Sequence, residues 1–315
     1  MTLIFMYNSL RAAVAAIATL GLAGGLLAAC GSGDTAGAGT GHVEVVAAFY
    51  PLEYVTKQVG GDHVSVTNLV KPGVEPHDLE LNPRQVGSVN QADLVVYLRG
   101  FQPAVDQAVT AEAKDRALDA ATVAPLLQDH TPIEGGEAHR DDTGADPHIW
   151  LDPTRLAAVA DAVAARLGTV DPGHAVDFTR NATGLRTRLT ALDHEYRTGL
   201  AHCASRSIVT SHNAFGYLAQ RYDLTQIGIT GLTPETEPTA GRLAEVARIA
   251  KREKVDVIFF ETLVSPKIAE TLASEIGAKA EVLDPLEGLK AGSDADYISV
   301  MRANLATLRS ALGCS

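Results

Sequence analysis

Short apolar runs alternate with helical patterns along most of the chain. The first part contains three runs typical of strands, at residues 43–49, 64–70 and 92–98. The later part contains four more, at residues 207–210, 224–229, 255–260 and 280–284. Helical patterns, such as those at 240–254 and 266–276, separate these runs. The alternation predicts βαβ units, and therefore an α/β protein with two βα lobes and mostly parallel sheets.

Two consecutive helices are predicted in the middle of the chain. Asp152 with Pro153, and Asp171 with Pro172, each combine an N-cap residue with proline at the first helical position. After the second start, apolar residues recur at steps of three or four, namely Phe178, Ala182, Leu185, Leu189, Leu192, Tyr196 and Leu200. This single stripe predicts one long, rigid helix of roughly 40 Å that joins the two lobes.

The first residues have the pattern of a secretory leader. Arg11 precedes an apolar run at 12–27, and small residues lead to Cys30 in the sequence LAAC. A cysteine there resembles a bacterial lipobox, so we expect Cys30 to be lipidated and to anchor the protein at the outer face of the cytoplasmic membrane. An ordinary signal peptide with a chance cysteine is the alternative, and translation from Met6 instead of Met1 would shorten the leader.

These patterns divide the chain into five parts. We expect a leader at 1–29, a flexible tether at 30–41, an N-terminal βα lobe at 42–170, the linking helix at 171–202 and a C-terminal βα lobe at 203–315. The glycine-rich composition of the second part is typical of a flexible linker.

The composition is that of an ordinary globular protein with an acidic surface. Of the 315 residues, 46% are hydrophobic and 20% are charged, and the formal net charge is −12. Binding to nucleic acid phosphates requires clustered Lys and Arg, so we expect no nucleic-acid partner. The acidic balance is compatible with the binding of cations.

Two cysteines besides Cys30 belong to the mature chain. They are Cys203 and Cys314, an even number that suggests a disulfide in an exported protein. Two free thiols are the alternative. We expect no cysteine metal site, because neither residue has a local partner at the spacing of such a site.

Three histidines and an aspartate lie where parallel sheets usually bind ligands. His77, His212 and Asp284 each follow or end a predicted strand, and His148 shortly precedes the first central helix. Ligands of open parallel sheets bind beyond the carboxyl ends of the strands. We therefore expect these four side chains to converge in the cleft between the lobes. Their mixed nitrogen and oxygen donors suit Zn²⁺.

Five segments carry a resemblance to a known family. They read GVEPHDLELNP, DPHIWLDP, SHNAFGYLAQRY, VIFFETLVSPKIAETLASEIG and VLDPLEGL, in this order. From about His42 onward the chain resembles the metal-specific (cluster A-I) substrate-binding lipoproteins of ABC importers, which bind zinc or manganese. The resemblance implies an extracytoplasmic protein, without enzymatic activity, whose partner is an ABC permease in the cytoplasmic membrane.

The resemblance also implies one metal ligand in each of four segments. Carried over by motif, these ligands are His77, His148, His212 and Asp284. Manganese-binding relatives usually have glutamate at the third position, so His212 indicates the zinc-binding type, with Mn(II) as the less favoured ion. Many zinc-binding relatives carry a histidine-rich loop between the first two ligands. Here that loop contains only His130 and His139 among acidic residues, which leaves a metal-collecting role open.

Two acidic residues are predicted to support the ligands. Glu261 directly follows the predicted strand at 255–260, and Asp78 directly follows His77. An imidazole that binds a metal needs a hydrogen-bond acceptor for its other N–H group, and a carboxylate supplies one. Direct metal binding is the alternative for Glu261, and simple solvation is the alternative for Asp78.

These expectations predict a monomeric zinc receptor that hands Zn(II) to the permease. A zinc hydrolase is one alternative, with Glu261 as the base if Asp284 did not bind the metal. However, the chain contains neither the His-Glu-x-x-His nor the Gly-x-Ser-x-Gly motif. A metal-binding surface adhesin, which would use an exposed face instead of the cleft, is the other alternative.

Overall fold

The chain forms two α/β lobes, each built on a sheet of four parallel strands. The structure, a computed structural model, describes residues 41–123, 125–127 and 144–315. The predicted α/β fold, with two βα lobes and a long helix, is confirmed. The predicted leader, Cys30, His130 and His139 lie outside the described residues.

The N-terminal sheet is assembled from short strands, of which the first and third along the chain are mostly buried. Its strands are β1 (Val43–Ala47), β2 (Val64–Asn68), β3 (Leu94–Tyr97) and β4 (Ala117–Asp119). Its helices are α1 (Tyr50–Gly60), α2 (Pro83–Gln91) and α3 (Pro103–Glu112). The strand order is β2-β1-β3-β4, with Val45 paired to both Val66 and Leu94. The sequence did not predict β4, because its three half-buried residues form no apolar run.

Two helices connect the sheets. They are α4 (Pro153–Val170) and α5 (Ala175–Gly199). Asp152 caps α4 by accepting a 2.8 Å hydrogen bond from Thr154 N. The 25 residues of α5 extend over about 38 Å, and its buried stripe includes Leu185, Leu189 and Leu192. Helix α5 begins after a 3₁₀ turn at Pro172–His174. The division of the chain into five parts stays a prediction.

The C-terminal sheet repeats the strand order of the first. Its strands are β5 (Ser207–Thr210), β6 (Thr225–Gly228), β7 (Val257–Phe260) and β8 (Lys279–Val282), in the order β6-β5-β7-β8. Its helices are α6 (Gly216–Tyr222), α7 (Ala240–Arg252), α8 (Lys267–Ile276) and α9 (Tyr297–Ala311). In each sheet the second and third strands flank the first. The carboxyl end of the first strand is therefore a switch point, beside which ligands bind.

The end of the chain is fastened to the start of the second lobe. The structure contains a disulfide between Cys203 and Cys314. The hydroxyl of Tyr196 on α5 donates a 2.6 Å hydrogen bond to Met301 O on α9.

Within the described ranges, we find no helix with the length and apolar character required to cross a bilayer.

Candidate metal centre

Three histidines and a glutamate converge in a buried site between the lobes. Nε2 of His77, His148 and His212 lies 3.3, 3.3 and 3.1 Å from Glu287 Oε1, respectively. Nε2 of His212 also lies 3.3 Å from Nε2 of His148. All four residues are at most 7% exposed. A regular tetrahedron of donors around Zn²⁺, with bonds of about 2.0 Å, has edges of roughly 3.3 Å. The four spacings given above are close to this edge length, and all the donor atoms lie within 4.8 Å of one another, as a site for one zinc ion requires.

His77 lies on the loop that follows β2. The backbone N–H of His77 donates to the Glu75 carboxylate at 2.9 Å, and Gln102 Nε2 donates to Pro76 O at 3.1 Å. The imidazole packs edge-on against the Phe101 ring, with 4.5 Å between centroids. These contacts fix the loop and direct the ring into the site.

His148 precedes the short 3₁₀ turn that leads into α4. Oδ1 of Asp146 accepts hydrogen bonds from both His148 N at 2.9 Å and His148 Nδ1 at 2.8 Å. Trp150, two residues later, packs 5.2 Å from the His148 ring and donates from Nε1 to Pro285 O at 2.7 Å. The indole therefore connects the His148 segment to the loop that carries Glu287.

His212 follows β5, at the switch point of the second sheet. Its Nδ1 lies 2.6 Å from Oε1 of Glu261, which follows β7. The Thr210 hydroxyl donates to His212 O at 2.7 Å and fixes the backbone there. Because carboxylates accept the Nδ1–H of both His148 and His212, Nε2 of each ring keeps its lone pair for a metal.

The structure corrects the predicted position of the acidic group. Asp284 does not lie with the histidines: its carboxylate accepts hydrogen bonds from Thr262 Oγ1 at 2.9 Å and from Leu286 N at 2.8 Å. These bonds form a turn, and Leu286 adopts a positive φ of 59°. The turn reverses the chain and places Glu287 in the site. The Asp-Pro pair at 284–285 is a turn signal, which agrees with the structural role of Asp284 in this turn.

The supporting acids also differ in part from the prediction. Glu261 contacts His212, as its predicted role requires. Asp78 is exposed, and among the described residues it forms no hydrogen bond to the three histidines. Sequence reasoning missed Asp146, which holds His148 instead. Its place two residues before a histidine, in the quoted DPHIWLDP segment, was the available signal.

Burial and neighbouring charges have opposite effects on the pKa values of the site residues. Burial alone would lower the pKa of His148 and His212, but the neighbouring carboxylates outweigh it and raise both pKa values. Burial alone would raise the pKa of Glu287, but the imidazoles of His77 and His212 hold that pKa well below its usual range. Because the pKa values of His148 and His212 are raised, protons compete with an incoming ion for these imidazole nitrogens.

The fold and the site together define a class: a two-lobed solute-binding protein with a metal site in its cleft. The sequence profile of the family described as zinc-uptake complex component A, periplasmic (ZnuA), matches residues 45–311. The match covers most of the chain, which therefore belongs to this family.

Individual relatives agree with this assignment. The high-affinity zinc uptake system protein ZnuA of Bacillus subtilis (strain 168) is 35% identical over 302 residues, which cover 91% of this chain and 94% of that protein. The zinc-binding lipoprotein AdcA of Streptococcus pneumoniae is 36% identical over 281 residues, or 85% of this chain and 56% of AdcA. This chain therefore spans about half the length of AdcA.

A solved structure provides the same comparison in three dimensions. The laminin-binding protein Lmb of Streptococcus agalactiae is described as bifunctional, with adhesin and metal transporting activity. It is 33% identical, with a TM-score of 0.75, and the match covers 86% of this chain and 99% of Lmb. The two-lobed fold is thus shared with a protein of known structure.

Proposed function

We propose that this chain is an extracytoplasmic receptor that captures one Zn²⁺ in the cleft and delivers it to an ABC permease. The observation that carries this proposal is the convergence of three imidazole nitrogens and one carboxylate oxygen within a buried site. His77, His148, His212 and Glu287 would each supply one donor. Three imidazoles favour Zn²⁺ over the harder Mn²⁺, and membership of the zinc-uptake family supports the same choice.

The same geometry argues for binding without catalysis. A catalytic zinc ion usually has three protein ligands and keeps a fourth position open for water. Here Glu287 supplies a fourth donor, with Oε1 within 3.3 Å of Nε2 in each of the three histidines. Glu261, the base of the hydrolase alternative, instead contacts His212 Nδ1. We therefore propose a non-enzymatic role for the site.

Membrane attachment and assembly complete the proposal. The LAAC sequence supports lipidation of Cys30, and the related AdcA of S. pneumoniae is named a lipoprotein. We propose a monomer attached by this lipid at the outer face of the cytoplasmic membrane, with the permease as its partner and no nucleic-acid partner. Cell fractionation tests the anchor: Cys30→Ala should move the protein from the membrane fraction to the soluble fraction.

Growth under zinc limitation tests the transport role. A strain that lacks the chain should grow poorly when zinc is chelated, and the wild-type chain should restore growth. His212→Ala should not restore growth, although it should reach the envelope in similar amounts. Elemental analysis of the protein purified from its native envelope should find about one zinc per chain. Equal growth with and without the chain, or manganese as the bound metal, would contradict the proposal.

Adhesion is a second candidate, because the similar protein Lmb is described as having both adhesin and metal transporting activity. Binding of the purified chain to immobilised laminin, with and without Zn²⁺, tests it directly. Saturable binding that survives His212→Ala would place adhesion on a surface other than the metal site. Absence of saturable binding would remove this candidate.

A further inference from the structure

We propose that Tyr217 is a positioning residue for the metal site and acts as a clasp on the segment that carries His148. This inference rests on the proposed zinc-binding function and adds a residue that does not touch the ion. Tyr217 is on α6, which follows His212, and its side chain is 1% exposed. A buried phenol of this kind needs hydrogen-bond partners, and the identity of those partners motivates the proposal.

The Tyr217 hydroxyl closes a ring of three hydrogen bonds. It accepts a 2.8 Å bond from Leu127 N and donates a 2.7 Å bond to Asp146 O. Asp146 N in turn donates to Leu127 O at 2.8 Å. Leu127 and Asp146 precede α4, whereas Tyr217 follows α5. The phenol therefore joins a segment that precedes α4 and α5 in the chain to a helix that follows them.

The ring of bonds leads directly to a proposed metal donor. The residue whose backbone carbonyl binds Tyr217 is Asp146, and its side-chain Oδ1 accepts from both N and Nδ1 of His148. If the backbone of Asp146 moves, its carboxylate moves with it, and the His148 ring loses the acceptor that orients it. Tyr217 therefore acts on the site through Asp146.

Two further features place this part of α6 against Asp146 and against the segment before Leu127. A Cβ atom added at Gly216 would lie 2.6 Å from Asp146 Oδ2, so the helix begins in close contact with that carboxylate. The Arg155 guanidinium lies 4.6 Å from the centroid of the Tyr217 ring and donates to Pro125 O at 2.6 Å. Cation–π attraction and this hydrogen bond hold the phenol and the segment before Leu127 together.

This arrangement links the orientation of the His148 ring to the contact between the two lobes, because α6 belongs to the C-terminal lobe and Asp146 to the N-terminal lobe. Movement of α6 away from Asp146 would break both hydrogen bonds of the Tyr217 hydroxyl. The clasp should therefore slow zinc release, and it should affect the association rate much less, since capture does not require these bonds to break.

The test compares Tyr217→Phe with Tyr222→Phe. Tyr222 is on the same helix, and its hydroxyl donates to Asp193 Oδ1 on the linking helix instead of to Asp146. Both variants lose one hydroxyl. Zinc release into excess chelator, followed by stopped flow, gives the dissociation rate, and hydrogen exchange of the metal-free protein at residues 144–151 gives local opening.

We expect Tyr217→Phe to release zinc about three- to tenfold faster, a smaller effect than the 10–100-fold typical of groups bonded directly to ligands. Exchange at 144–151 should also be faster. Tyr222→Phe should resemble the wild type in both measurements. Gly216→Ala keeps the hydroxyl but crowds Asp146 Oδ2, and it should accelerate release as well.

Wild-type release and exchange rates in Tyr217→Phe would overturn the clasp while leaving zinc binding intact. Equal acceleration in Tyr222→Phe would also overturn it, because the effect would then be a general loosening of α6. A wild-type chain that binds no zinc would overturn the proposed function, and with it the role of the clasp in zinc retention.

Discussion

The histidines on the two sides of the site are held in different ways. His148 and His212 are fully buried, and each has Nδ1 bonded to a carboxylate, that of Asp146 or Glu261. His77 is 7% exposed and lies on a loop whose residues 71–74 are exposed. Contacts to its backbone and a ring packed on Phe101 hold it. We infer that His148 and His212 form a preorganised pair and that His77 completes the site from the solvent side.

Loss of a preorganised histidine should have the largest effect. Structural zinc sites provide about 10–16 kcal/mol from four ligands, or about 3 kcal/mol for each, which corresponds to roughly 10²-fold in affinity. His212→Ala should lose at least this factor. His77→Ala should lose less, about tenfold, because water reaches that side and can replace the imidazole. Competition titrations against a chelator of known affinity measure both. Equal losses would break the distinction between the pair and the loop.

The two acids in DPLEGL offer the next largest contrast. Glu287→Gln removes the charge of the only carboxylate in the four-residue group found among the described residues, and affinity should fall by about 10- to 100-fold. Asp284→Asn is the matched control: it should keep the turn bond to Leu286 N and bind zinc nearly as the wild type does. Competition titrations against the same chelator measure the zinc affinity of both variants. A larger loss for Asp284→Asn would reinstate Asp284 as the metal-binding acid.

The supporting acids should differ in the same direction, by a smaller amount. Glu261→Gln weakens the acceptor for His212 Nδ1, so affinity should fall by about tenfold. Asp78→Asn changes an exposed side chain on the loop that carries His77 and should leave the zinc affinity unchanged. Calorimetric titration with a competing chelator resolves the difference. Equal affinity in Glu261→Gln and the wild type would show that this carboxylate does not tune the site.

The pH dependence should be the most gradual effect. The raised pKa values of His148 and His212 stabilise the metal-free fold below the ordinary histidine value of about 6.5, and this contribution is lost as pH rises through the raised values. Zinc affinity increases over the same range, because fewer protons compete for the imidazoles. The zinc-induced increase in Tm should therefore grow between about pH 5.5 and pH 8.5. Thermal unfolding with and without Zn²⁺ measures it, and an increase independent of pH would contradict the assignment.

The fold and the histidines could be predicted because both depend on local patterns. Strand-sized apolar runs predicted seven of the eight strands found among the described residues. Histidines that follow strand ends converge because parallel strands end at the same edge of a sheet. Glu287 could not be predicted in this way. Its position depends on a turn in which Asp284 bonds to Leu286 N and Leu286 adopts a positive φ, a conformation that sequence periodicity does not encode.

Asp146 escaped prediction for a different reason. Its Oδ1 accepts from both N and Nδ1 of His148, and its backbone bonds to Tyr217 and Leu127, which are distant from it in the sequence. A spacing of two residues indicates proximity along the chain but not the direction of a side chain. Tertiary contacts of this kind decide which of several nearby acids supports a ligand.

Zinc K-edge X-ray absorption of the zinc-loaded protein tests the central claim most directly. We predict four nitrogen or oxygen donors at about 2.0–2.1 Å, with the multiple scattering of three imidazoles, and no sulfur at about 2.3 Å. The spectrum should change in Glu287→Gln and stay the same in Asp284→Asn. A sulfur donor, fewer than three imidazoles, or a spectrum that responds to Asp284 and not to Glu287 would contradict the account.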